Sequence, residues 1–246
     1  MKDDELRQTL EFYQDLGIKT YYKKAVAAPV RASVAAPIAA PVAAPVLQVI
    51  PLAPASDSLA LIQADIGDDC KRCRLCEQRN KIVFGDGNPT AQLVFVGEGP
   101  GADEDASGIP FVGRAGQLLT QMIEGTAKKE GIPILRKDIY ICNVVKCRPP
   151  ENRTPQPDEM EICGQFLARQ LQVIRPKAIC ALGSTAAKAV LGTKEGVTKL
   201  RGRWHKWRDI PVMVTYHPSY LLRPYNQDAK REAWEDLKKA LHFVYD

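Results

Sequence analysis

Four short apolar runs alternate with amphipathic segments along most of the chain. The runs are rich in β-branched residues and lie at residues 93–97, 139–145, 178–183 and 211–216. Helical periodicity appears between and after them, at residues 115–129, 158–174, 184–191 and 229–244. Such runs are typical of strands buried on both faces, and their alternation with helices favours a parallel sheet. We therefore predict an α/β domain over residues 57–246, with a central four-stranded parallel sheet flanked by helices on both faces.

The N-terminal part of the chain has a different pattern. Leu6, Leu10 and Tyr13 recur at helical spacing, which predicts an amphipathic helix over residues 1–24 that is able to dock a protein partner. Residues 25–56 are dominated by Ala, Pro and Val, and repeated prolines stop a helix or a sheet from propagating. We expect a flexible linker there, so that the helix and the linker form an N-terminal extension of the domain.

Composition narrows the setting of the protein. The net charge of +5 over 246 residues permits binding to a polyanion without requiring it. No apolar run approaches the roughly 18–20 residues that cross a bilayer, and the opening Met-Lys-Asp-Asp-Glu is unlike a secretory peptide. We expect a monomeric cytoplasmic protein, in which the seven cysteines are thiols or metal ligands and not disulfides.

Two distant pairs of cysteines predict a metal centre. Cys70 and Cys73 form a C-x-x-C motif, and Cys147 and Cys163 follow much later in the chain. Four thiolates can hold a [4Fe–4S] cluster or a tetrahedral zinc ion, and the spacing alone does not separate these. Cys76 extends the first motif and is a competing ligand.

Glycine-rich and polar segments fall where the predicted strands end. Residues 97–101 (GEGPG) follow the first strand, Asn143 lies at the end of the second, and His217 follows the fourth. Ligands of open parallel sheets bind beyond the carboxyl ends of the strands. Phe111 lies in Pro-Phe-Val-Gly, where the nearby Pro and Gly indicate a stiff loop from which its ring is able to stack on a planar base. These segments predict a ligand pocket.

Two segments have features of nucleic-acid contact. In HPSYLLR, Leu221 and Leu222 offer an apolar wedge for a duplex beside the phosphate-binding cation Arg223. Arg201 lies among cations that are interleaved with Trp204 and with a second tryptophan. Such a stretch suits nucleic acid, although an exposed hairpin has the same pattern.

Four motifs in order, GEGPG, PFVGRAGQLL, NVVKCRPPENRTP and HPSYLLR, resemble the type-four, iron–sulfur uracil-DNA glycosylases of bacteria and archaea. The resemblance covers residues 68–245. It implies hydrolysis of the N-glycosidic bond of deoxyuridine in uracil-containing DNA, which leaves an abasic site. It also implies a [4Fe–4S] cluster whose ligands are Cys70, Cys73, Cys147 and Cys163, with Cys76 as a bystander.

The resemblance also implies roles for single residues. Phe111 resembles the aromatic side chain that stacks on the flipped uracil, and Asn143 resembles the amide that reads the uracil edge. An amide offers a donor and an acceptor, which match O4 and N3–H of uracil. His217 resembles the residue that faces O2, where a donor stabilises the departing anion. Backbone near Glu98 and Gly99 is expected to line the pocket.

The residue that activates water is less well defined. Gly99 occupies a position where the best-known uracil-DNA glycosylases have an aspartate, so a general base is unavailable there. Asn152 resembles the family residue that positions water or stabilises the sugar cation, and Glu104 is the second catalytic candidate.

An alternative is a noncatalytic or covalent uracil-DNA-binding protein, or a polymerase-associated factor. Relatives that trap uracil-DNA covalently have GEQPG and a histidine-bearing loop where this chain has GEGPG and ENRTP. These two differences favour an enzyme that turns over.

Overall fold

The computed structural model describes residue 54 and residues 56–223 and 225–246. The predicted helix over residues 1–24 and nearly all of the predicted linker over residues 25–56 lie outside these described residues. Every helix among the described residues is too short or too polar to span a lipid bilayer.

A six-stranded sheet forms the centre of the domain, in the order β1-β3-β2-β4-β6-β5. Its strands are β1 (Asp86–Gly87), β2 (Leu93–Gly97), β3 (Tyr140–Asn143), β4 (Ala178–Leu182), β5 (Trp204–Trp207) and β6 (Ile210–Thr215). The four inner strands are parallel, which confirms the predicted central sheet. The two edge strands pair antiparallel and were not predicted as part of the sheet. β1 has only two residues, and in β5 only Trp207 is buried, so neither gives the continuous apolar run of an inner strand.

Helices cover both faces of the sheet. They are α1 (Leu59–Ile66), α2 (Ala102–Ser107), α3 (Arg114–Lys129), α4 (Pro157–Ile174), α5 (Gly183–Leu191), α6 (Val197–Leu200), α7 (Pro218–Leu221) and α8 (Gln227–Tyr245). Val94 and Val96 pack into one core with side chains of α1, α4 and α5. Side chains alternate along a strand, so Leu93 and Phe95 point to the opposite face, where α8 packs on β4 and β6 and α3 packs on α8. Burial on both faces explains why these strands read as unbroken apolar runs.

The second predicted strand is longer than β3, and the difference shapes the pocket. Val144 and Val145 lie beyond the end of β3. Their backbone N–H groups donate to the carbonyl oxygens of Gly97 at 3.0 Å and Glu98 at 3.2 Å. These hydrogen bonds join the loop after β3 to the glycine-rich loop after β2, at the carboxyl edge of the sheet.

Candidate active site and cysteine cluster

A pocket of about 650 Å³ opens at the carboxyl edge of the parallel strands. This size is typical of small-molecule sites. The pocket brings together most of the site residues that the sequence predicted, namely Glu98, Gly99, Glu104, Phe111, Asn143, Asn152, His217 and Leu222. They come from the loops after β2, β3 and β6, as expected for a ligand site in an open parallel sheet. Arg114 and Ser184 also line the pocket, although neither was predicted as a site residue.

Asn143 lies at the base of this pocket and is only 1% exposed. Its side-chain Oδ1 has no hydrogen-bond partner among the described residues. A buried, unpaired amide oxygen is costly, and such a group is usually paired in a native structure. Gly97 lies against the Asn143 amide and the Phe111 ring. A Cβ at position 97 would clash with the amide and would be 2.6 Å from Cε2 of Phe111. The amide is therefore available to a ligand that fits beside the phenyl ring.

Phe111 is held in a left-handed backbone conformation with a φ of 54°. Bulky residues rarely adopt this conformation, and when they do the surrounding structure must enforce it. The buried side of the loop is held by Arg136, whose guanidinium donates to the carbonyl oxygens of Pro110 at 2.7 Å and Phe111 at 3.0 Å. We refer to these two hydrogen bonds as the Arg136 clamp. Arg136 was not predicted as a site residue, since a single arginine in Leu-Arg-Lys-Asp has no distinctive pattern.

Glu104 holds the same loop from its other side. Its Oε1 accepts the backbone N–H groups of Val112 and Gly113, each at 2.9 Å, and its Oε2 accepts that of Gly101 at 3.0 Å. Both carboxylate oxygens are thus engaged by the main chain. This geometry favours loop support over the water-activating role that the sequence analysis gave to Glu104 as second candidate.

His217 precedes α7, and its ring centroid lies 5.6 Å from that of Phe111. The backbone N–H of Ser219 donates to Nδ1 of the imidazole at 3.2 Å, so the ring proton of the neutral form is assigned to Nε2. Burial lowers the pKa of His217 to about 4. The imidazole is therefore neutral near pH 7, with Nε2–H free to donate to a ligand.

Asn152 lies at the exposed rim of the pocket, at the end of the 3₁₀ turn Pro150–Asn152. Its φ is 55°, and that of the preceding Glu151 is 53°, so the rim adopts an unusual left-handed path. The side-chain Nε of Arg148 donates to the Asn152 Oδ1 at 2.8 Å. This hydrogen bond fixes the orientation of the amide at the mouth of the pocket.

Two of the predicted DNA contacts need correction. Leu221 is fully buried on the inner side of α7, so only Leu222, which lines the pocket, is placed as a wedge. Arg201 lies outside the pocket and pairs with the buried carboxylate of Asp236 at 2.9 Å, which makes it part of the fold. Arg223 remains exposed, 5.9 Å from the ring of Tyr220.

Comparisons with known proteins agree with this geometry. Residues 84–238 match the model of the uracil DNA glycosylase superfamily. The chain belongs to that superfamily, in its type-4 branch. It is 48% identical to a type-4 uracil-DNA glycosylase of Thermotoga maritima, over 71% of this chain and 89% of the relative. It is 42% identical to one of Sulfurisphaera tokodaii, over 74% and 83%, and 41% identical to one of Archaeoglobus fulgidus, over 69% and 85%.

The cysteines expected to hold a cluster in this family lie together. All seven cysteines are free thiols. One small cavity beside α1 and α4 is lined by four of them, Cys70, Cys73, Cys147 and Cys163. Cys76, on the 3₁₀ turn Arg74–Glu77, does not line this cavity. The structure thus separates the four predicted ligands from the competing one.

The surroundings of these sulfur atoms suit an anionic thiolate cluster. The guanidinium of Arg79 lies 3.5 Å from Cys147 Sγ, and the backbone N–H of Lys146 donates to Cys163 Sγ at 3.2 Å. Burial raises the pKa of Cys147 to about 12 and that of Cys163 to about 11. Both thiols therefore stay protonated unless their sulfur atoms bind a metal.

Among the described residues, no group of three or more side chains converges as a site for a single metal ion. In a four-iron cluster each thiolate binds a different iron, so convergence on one point is not needed. The all-sulfur donor set fits a [4Fe–4S] group in its chemistry.

Proposed function

We propose that this chain hydrolyses the N-glycosidic bond of deoxyuridine in DNA, releasing uracil and leaving an abasic site. The observation that carries the proposal is one pocket that combines the unpaired amide of Asn143, the ring of Phe111 and the neutral imidazole of His217. The relatives that are named type-4 uracil-DNA glycosylases support the same reaction.

Recognition begins when the target nucleotide is flipped out of the DNA into the pocket, with Leu222 entering the space it leaves. The flipped base stacks on Phe111. Asn143 then pairs with O4 and N3–H of uracil, which satisfies the buried Oδ1 that otherwise has no partner. Cytosine presents an amino group in place of O4 and leaves buried polar groups unpaired, and such mismatches discriminate strongly.

Cleavage of the C1′–N1 bond leaves negative charge on uracil and positive charge on the sugar. The Nε2–H of His217 donates to O2 of the departing base and stabilises that charge in a preorganised site. Asn152, fixed by Arg148 at the pocket rim, positions the water that attacks C1′ or stabilises the sugar cation. The water oxygen bonds to C1′, and the proton that it loses neutralises the uracil anion. Glu104 supports this chemistry by holding the Phe111 loop, and Gly99 supplies no carboxylate.

The cysteine cavity is proposed to bind a [4Fe–4S] cluster through Cys70, Cys73, Cys147 and Cys163. When bound, the cluster is a structural crosslink and does not take part in the hydrolysis. It joins the segment after α1 to α4 and to the loop that follows β3. The predicted partner of residues 1–24, the linker and the monomeric state stay predictions.

A strand-cleavage assay tests the proposed function. Purified protein is incubated with a labelled oligonucleotide that carries one uracil, and alkali then cleaves the DNA at abasic sites. We expect uracil release over many turnovers, loss of activity in His217→Ala, and no cleavage of thymine-only DNA. His205→Ala is the matched control, because His205 bonds to the Leu200 carbonyl outside the pocket and its loss should leave the rate unchanged.

Two outcomes would contradict the proposal. An adduct that survives denaturant, without turnover, would identify a covalent trap. A protein with an intact cluster that gives neither product nor adduct would identify a DNA-binding or partner-docking factor.

A further inference from the structure

Lys146 is an unusual lysine that the proposed chemistry does not use. It is only 1% exposed and is among the largest fully buried side chains of the domain. Lysine is almost never fully buried unless it is paired. Its Nζ donates to the backbone carbonyl of Asn143 at 2.8 Å and to Oε1 of Gln170 at 2.6 Å. Both acceptors are neutral, so neither compensates the charge of an ammonium group.

Gln170 is itself fixed by the fold. It is fully buried on α4, and its Nε2 donates to the carbonyl of Phe84 at 3.0 Å and to the hydroxyl of Tyr140 at 3.2 Å. These two acceptors fix the amide orientation, so that Oε1 faces Lys146. The ammonium group therefore bridges a rigid point on α4 and the end of β3.

The main chain of Lys146 contacts the cysteine cluster. Its backbone N–H donates to Cys163 Sγ, and the next residue is Cys147. One residue thus contacts a proposed cluster ligand through its backbone and the proposed base-reading residue through its side chain.

The backbone of Asn143 matters because no hydrogen bond within the described part of the chain fixes the Oδ1 of its side chain. The amide Oδ1 has no partner among the described residues, so its position depends on the main chain that carries it. The carbonyl oxygen of that main chain accepts a hydrogen bond from Nζ of Lys146. We propose that Lys146 is a positioning residue that holds Asn143 in place for uracil recognition and links it mechanically to the cysteine cluster. The inference rests on the proposed function.

The test uses the cluster-loaded protein and the variant Lys146→Met. Iron, acid-labile sulfide and visible absorption report the cluster, while inhibition by free uracil reports the base pocket. We expect the inhibition constant for uracil to rise roughly tenfold, the size of one lost buried hydrogen bond, with the cluster content unchanged. Lys177→Met is the matched control, since Lys177 also donates to a backbone carbonyl, that of Val244, but lies outside the pocket. Its inhibition constant should equal that of the wild type.

A cluster-loaded Lys146→Met protein with the wild-type inhibition constant would overturn the proposal. If that variant does not assemble its cluster, Gln170→Leu decides, because it keeps Lys146 and every cysteine. We expect Gln170→Leu to raise the inhibition constant by about threefold with the cluster present, and an unchanged value would overturn the proposal. Failure of the wild-type protein to release uracil would instead overturn the proposed function.

Discussion

Removing the Arg136 clamp should release Phe111 from the pocket. The variant Arg136→Met keeps much of the side-chain volume but loses both hydrogen bonds to the carbonyl oxygens of Pro110 and Phe111. It also loses a hydrogen bond to the hydroxyl of Thr120 at 2.9 Å. Without these contacts, we expect the strained backbone of Phe111, whose φ is 54°, to relax toward ordinary angles.

The size of the effect follows from the orphaned carbonyls. Each buried carbonyl without a partner costs roughly 1–3 kcal/mol. Because water can reach the half-buried Arg136 site, we take the lowest value, about 1 kcal/mol, for each of the two carbonyls, which gives a total of about 2 kcal/mol. A penalty of about 2 kcal/mol leaves roughly one molecule in 30 with Phe111 in place. The apparent substrate affinity falls by the same factor, so KM should rise about 30-fold while kcat changes little.

Steady-state uracil release from a single-uracil oligonucleotide measures both constants. Arg136→Lys keeps the charge but cannot bridge two carbonyls as the fork of arginine does, so its KM should be intermediate. Arg175→Met is the control, because Arg175 is exposed and its Nε donates to one carbonyl, that of Gln172. A wild-type KM in Arg136→Met, or an equal rise in the control, would refute the reasoning.

Three further predictions concern the pocket and the cluster. Gly97→Ala places a methyl group against the Phe111 ring and should lower kcat/KM at least about tenfold in a folded protein. Wild-type kinetics in this variant would show that the close approach of Gly97 to the Phe111 ring is unimportant. The pKa of His217 lies below its ordinary value of 6.5, so the stability gained from burying the neutral ring is complete above pH 6.5 and is lost as the pH falls toward about 4. NMR titration with acid denaturation checks this, and a midpoint near 6.5 would contradict it. Cys147→Ala should lose iron and solubility together, while Cys76→Ala should keep both. Iron content and soluble yield measure the two effects. A Cys147→Ala protein that is soluble, active and colourless would argue against a structural cluster.

The inner strands were predictable because burial on both faces leaves an unbroken apolar run in the sequence. The edge strands left no such trace. In β5, Trp204 and Lys206 face outward, so the segment has the pattern of a surface hairpin. Val144 and Val145 made the second predicted strand too long, since they are apolar and buried yet lie outside the sheet. Apolar character indicates burial, and hydrogen bonding decides where a strand ends.

The site was predictable where a residue acts through its own side chain at a strand end, as Asn143 and His217 do. Arg136 and Lys146 were missed because their roles depend on partners brought close only by folding. Leu221 and Arg201 show the converse limit. The same residue types serve as a wedge and a cation at a DNA surface or as core and ion pair inside a fold, and only the tertiary surroundings distinguish the two.

The residues with a left-handed backbone conformation indicate where substitutions can raise the stability of this protein. The non-glycine residues with positive φ in the described chain are Phe111 and Asn152 in the pocket lining, Glu151 next to Asn152 in the chain, and Arg175 and Arg208 away from the pocket. Glycine at Glu151 would relieve strain but loosen the rim that orients the substrate, and glycine at Asn152 would also remove the amide proposed to act on water or the sugar cation. Both changes would raise stability at the expense of activity. Arg175 ends α4 in the conformation that glycine prefers, so a thermostable variant is better sought there, where the gain does not compete with catalysis.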